Sequence, residues 1–154
     1  IALVEGGLKP NVFGHLAEQY ELCDHVIGAA GGQHNQSVEG LITALSRMQA
    51  RRIVLYPDAG AVQNKMVLLA YFRTFQALII DLRLDVSVAW WGQTDKDNGL
   101  DPDNFLNEIM DISDISAICN ISVRKFWEAV PETIRDELLG GKQASVFEAV
   151  LQHC

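Results

Sequence analysis

Two carboxylates stand where this chain's pattern would let carboxylates do chemistry. Glu5 closes the short apolar run of residues 1–6 (IALVEG). Asp58 follows the run Ile53-Val54-Leu55-Tyr56, inside Pro57-Asp58-Ala59-Gly60. Each run reads as a strand, so each acid is presented at a strand's carboxyl end, where open α/β sheets bind ligands. Two such acids sharing a crevice repel each other unless a cation or a proton lies between them. Mg²⁺ suits carboxylate and water ligands. It could organise phosphoryl chemistry or hold a nucleic-acid phosphate there. The plainer alternatives are an exposed loop glutamate and an aspartate that forms a turn or caps the next helix.

Other candidates carry the same double reading. Lys9 would neutralise a phosphate beside Glu5, or be a solvated lysine in a first helical turn. His34 and Asn35 follow the Gly-rich turn Gly28-Ala29-Ala30-Gly31-Gly32 at a helix start, where backbone N–H groups can hold a phosphate or simply be capped. That turn follows the second strand and lacks the three-glycine spacing of a dinucleotide fingerprint, and no P-loop pattern occurs. Trp90 and Trp91 could stack bases, but neighbours in a strand face opposite ways, so at least one belongs to the core. Lys65, Arg73 and Arg83 recur along one helical stretch, as solvated helix charges do.

The elements that must position these groups alternate. Strands are expected over residues 1–6, 25–30, 53–56 and 85–91. In the third, Ile53 to Tyr56 form a β-branched and aromatic run of the kind buried on both faces. Pro57 and Gly60 end it. Between the strands, Val12, Phe13, Leu16, Ala17 and Tyr20 recur at helical spacing, as do Val38, Leu41, Ile42, Leu45 and Met48 in a helix over 37–49. Asn64 is placed to cap a long helix over 65–84. Strand–helix alternation demands parallel strands joined by helical crossovers. The expected fold is a Rossmann-like α/β domain, a parallel four-stranded sheet flanked by helices, over residues 1–105. Residues 106–154 read as a helical C-terminal extension, with helices over 131–139 and 145–151, that packs on the sheet or leads into a next module.

Composition narrows the function classes. The 154 residues carry a formal net charge of −8 and are 49% hydrophobic, enough for a core and unlike a disordered chain. Residues 101–154 hold ten acidic and four basic residues, so they carry −6 of that charge. Such a surface argues against a broad face that tracks nucleic-acid phosphates, but not against a local cation site. No apolar run approaches the roughly 20 residues that span a bilayer, so no membrane partner is expected. Cys23, Cys119 and Cys154 are too few and too scattered for a disulfide framework or a zinc site, which points to a reducing, cytoplasmic setting. The chain opens on Ile1, and flanking domains of a longer protein are expected.

With these residues in view the chain resembles a toprim domain, the metal-binding fold of bacterial primases, topoisomerases and some nucleases. The resemblance covers about residues 1–105. It is strongest to the toprim-like domains of plasmid and phage replication proteins of the primase–helicase type, cyanobacterial ones included. It rests on Val4-Glu5-Gly6-Gly7-Leu8-Lys9, the Gly28–Gly32 turn, Asp58 followed by Asn64, and Val88-Ala89-Trp90. Asp97-Asn98-Gly99-Leu100-Asp101-Pro102-Asp103 is a loosened version of a further element of those proteins. The resemblance implies Glu5 as the general acid/base of nucleotidyl transfer and Asp58 as a ligand of Mg²⁺ or Mn²⁺. It also implies DNA or nucleotides as partners, and Lys9, His34, Asn35 and Asn64 are the candidate phosphate or nucleic-acid contacts. One departure stands out: the family's Asp-x-Asp pair is incomplete. Where Asp58 matches its first member, Gly60 replaces the second; where it matches the second, Tyr56 replaces the first. Asp95, Asp97 or Asp101 could substitute. Two further readings remain. One is the same fold as a non-catalytic nucleic-acid or protein-docking module of a replication protein. The other is a phosphoreceiver-like domain with Asp58 as phosphoacceptor and Lys96 as its lysine.

Overall fold

The computed structural model describes residues 2–5, 26–29, 40, 43, 45, 47–95, 100 and 119–154, with residues 4, 5 and 26–29 described by their backbone alone. Five strands form one sheet: β1 (Ala2–Glu5), β2 (Val26–Ala29), β3 (Arg52–Tyr56), β4 (Asp85–Trp90) and β5 (Cys119–Ser122). Their order is β2-β1-β3-β4-β5. The first four run parallel, with Leu3 opposite Ile27 on one side and Leu55 on the other, and Ile53 opposite Val86. β5 pairs antiparallel with β4, Ile121 opposite Val88.

The α/β class and the four parallel strands match the sequence, but the sheet is mixed and one strand wider than the parallel four-stranded sheet expected. The added strand lies inside the stretch expected to be a helical extension. β5 (CNIS) holds one clearly apolar residue, and three of its four residues are exposed. What makes it a strand is the open ladder edge of β4, which has backbone groups to satisfy. A short, polar antiparallel strand also makes a sheet edge that resists further pairing.

β3 shows why the central strands form. Ile53, Leu55 and Tyr56 are buried and Val54 half-buried, as a strand covered on both faces requires. After it a one-turn 3₁₀ helix (Ala61–Gln63) leads into α1 (Lys65–Phe75). Asn64 caps α1: its Oδ1 accepts from the N–H groups of Met66 and Val67 at 3.0 and 3.2 Å. The helix then widens into a π-helical segment, Gln76–Asp81, with the Leu82 N–H bonded five residues back to Ala77. Arg83, at φ 55°, is the left-handed residue before β4. Gly40, Thr43, Leu45 and Arg47 are helical, within the helix expected over 37–49.

Beyond β5 come α2 (Val123–Ala129), α3 (Glu132–Leu139) and α4 (Ala144–Gln152). Ser122 caps α2 through Oγ to the Lys125 N–H at 3.1 Å. The Arg124 guanidinium donates to the Leu151 carbonyl at the end of α4, satisfying an orphan acceptor there. Partial burial pushes the nearby Cys154 thiol up from its ordinary value, and the Arg124 charge pulls the other way. Lys65 of α1 forms an ion pair with Glu137 of α3. These C-terminal helices share the core of the sheet: Phe126, Trp127, Phe147 and Val150 are buried in one cluster with Leu3, Ile53, Phe72, Phe75 and Val88. At its centre Phe147 lies 4.9 Å from Phe72 and 5.3 Å from Trp127, ring centre to ring centre. No helix among the described residues is long and apolar enough to cross a membrane.

Candidate site at the carboxyl edge of the sheet

The strand order fixes where a ligand would sit. The chain goes from β1 to β2 on one side, then crosses back to β3 on the other side of β1 and continues outward to β4. The direction of winding therefore switches between β1 and β3. The crevice outside the carboxyl ends at such a point is where open parallel sheets bind ligands. β1 ends there at Glu5, and β3 ends there at Tyr56, two residues before Asp58. Val4 is in register with Tyr56, so the backbone of Glu5 leaves the sheet beside the start of the Asp58 loop.

That loop is tightly built. Pro57 and Ala59 are buried and Asp58 between them is half-buried. The Asp58 carbonyl accepts from the Ala61 N–H at 3.1 Å, closing a four-residue turn. Its third residue, Gly60, has φ 82° and ψ −1°, the conformation that type II and type I′ turns require at that position. The backbone of this turn thus favours a glycine at position 60. A side chain there would sit in the left-handed region, which non-glycine residues enter at a cost.

The neighbouring loop, after β4, is held to this one by a residue without a signal in the sequence. Gln93 is fully buried. Its Nε2 donates to the carbonyls of Pro57 and Ala89 at 3.3 and 3.2 Å. Its Oε1 accepts from the Trp91 N–H at 2.9 Å. Both amide hydrogens and the amide oxygen are used, and their partners fix which end is which. The Gly60 N–H reaches the Gln93 carbonyl at 3.5 Å, and Gln63 Nε2 donates to the Thr94 carbonyl at 2.9 Å. Glutamine after Trp-Trp-Gly reads as an ordinary loop residue, and only its burial reveals the role.

The expected site residues divide accordingly. The end of β1 at Glu5 and the loop that carries Asp58 both lie at the switch point. Asp95 is half-buried in the loop after β4, two residues beyond Gln93. Asn64 spends its side-chain oxygen on the cap of α1. Lys9, His34, Asn35, Asp97 and Asp101, with Lys96, lie outside the described residues. Trp90 takes the core role, its ring 5.8 Å from Phe126. Trp91 tilts against Tyr56 at 6.5 Å and donates from Nε1 to the Leu100 carbonyl at 3.2 Å. Asp58 and Asp95 are the half-buried carboxylates described in the loops after β3 and β4. Among the described residues no group of three or more His, Cys, Asp or Glu gathers.

Comparison with protein-family models, with curated proteins and with solved structures finds no match.

Proposed function

We propose that the β1–β3 switch point is a Mg²⁺- or Mn²⁺-binding site of a toprim-like domain in a primase-type replication protein, acting on nucleotide or DNA phosphates. The observation that carries this reading is the juxtaposition of strand ends: β1 stops at Glu5 directly beside β3, which stops two residues before Asp58. Asp58 would hold the cation, with Asp95 as the candidate in place of the missing second aspartate. A bound cation would neutralise phosphate charge and orient the reacting oxygen. Glu5 would take the proton of the attacking hydroxyl, the work of a carboxylate within hydrogen-bond reach.

A second reading, a non-catalytic nucleic-acid or protein-docking module of the same fold, draws on one specific observation. On the alignment in which Asp58 matches the first aspartate, Gly60 stands for the second, and its left-handed conformation is one that an aspartate would enter only with strain. Nucleotide incorporation on single-stranded DNA with Mg²⁺ or Mn²⁺ separates the two. Activity lost in Glu5→Gln supports the catalytic reading. DNA binding without incorporation, unaltered by Glu5→Gln, supports docking.

A further inference from the structure

The geometry points to Gln93 as the positioning residue that holds the Asp58 turn against the end of β4, so that the loops after β3 and β4 form one unit. This rests on the reading of Asp58 as a cation ligand and adds what sets its place. Asp58 sits on a short turn closed by a hydrogen bond from the Ala61 N–H. Further restraint comes from across the edge. The Gln93 amide grips the carbonyl before Asp58, at Pro57, together with the backbone of β4 at Ala89 and the following loop at Trp91. The Gly60–Gln93 and Gln63–Thr94 bonds extend the same seam. Complete burial makes the grip strict: a buried carbonyl released from its donor finds no water to replace it. The seam also ties the loop that carries Asp95 to the loop that carries Asp58, so a carboxylate from each is brought to one edge by backbone pairing. Gln93 touches no ligand in this scheme and acts through the Pro57 carbonyl.

Native-state hydrogen exchange tests the positioning itself. Gln93→Met keeps the length of the side chain and removes its amide. The Ala61 amide, bonded to Asp58, should lose at least tenfold protection, while the Leu68 amide, bonded to Asn64 in α1, keeps its own. Equal losses at both would mean a general contribution to stability and would overturn the proposal. Should Gln93→Met not fold, the wild-type chain decides: Ala61 and Trp91 amides that open with the same urea dependence support one unit, and independent openings refute it. Titration with Mn²⁺ then reads the consequence. Binding lost in Asp58→Asn and weakened at least tenfold in folded Gln93→Met supports the inference; unchanged affinity in Gln93→Met defeats it. No Mn²⁺ binding by the wild type would defeat the cation reading instead, leaving the exchange result to judge Gln93.

Discussion

At the scale of single residues, the candidate site turns on Asp58 and on what Gly60 permits. Gly60 sits at φ 82° because the turn that presents Asp58 needs a left-handed residue at its third position. Restoring an acidic pair by Gly60→Asp therefore works against the backbone. It should destabilise the protein by about 1 kcal/mol, read as a lower urea midpoint at unchanged slope. An unchanged midpoint would show that the turn tolerates a side chain. Asp58 was legible in the sequence because a proline and a glycine bracket it after an apolar run, and the strand order then explains why that position matters. Gln93 was not legible. Its burial depends on two loops meeting across the sheet edge, and a residue's own neighbours in sequence carry no trace of that meeting.

At the scale of elements, the chain wrote its regular parts clearly and its paired parts faintly. The parallel strands announce themselves because a strand covered on both faces must be apolar, and α1 because Asn64 precedes an apolar stripe. The widened π-helical end of that helix has no comparable signature and reads as continuous helix. β5 and α2 escaped for a different reason. The strand is nearly all exposed, and its existence depends on β4 offering an unpaired edge. Helix ends offer a sharper test. Gln49 is left-handed, at φ 52°, and the Ala50 N–H bonds back to the Leu45 carbonyl. That bond is the 6→1 bond of a Schellman motif, whose left-handed position glycine fills best. Gln49→Gly should therefore stabilise by about 0.5–1 kcal/mol, relief of strain outweighing the added freedom of the unfolded chain. Thermal melts would register the gain as a higher midpoint; a lower one would mean that the Gln49 side chain contributes more than its backbone costs.

At the scale of the molecule, the C-terminal helices and the sheet are joined by one aromatic cluster. Phe147 of α4 is fully buried against Phe72 of α1 and Trp127 of α2. Phe147→Ala should cost about 3–5 kcal/mol, through lost burial and the cavity left behind, and the loss should appear in a single unfolding transition. Two transitions, with the sheet unaffected, would instead mark residues 106–154 as a separate unit. The acidic balance of those residues also shapes the functional reading, since a surface so charged favours a confined cation site over a broad phosphate-tracking face. Under the proposed function, such a site lies between the ends of β1 and β3. Calorimetric titration of Mg²⁺ and Mn²⁺ into the wild-type chain, Asp58→Asn and Glu5→Gln tests it most directly. Saturable binding by the wild type, abolished in Asp58→Asn and weakened in Glu5→Gln, is the predicted result. Binding that survives Asp58→Asn unchanged would contradict it.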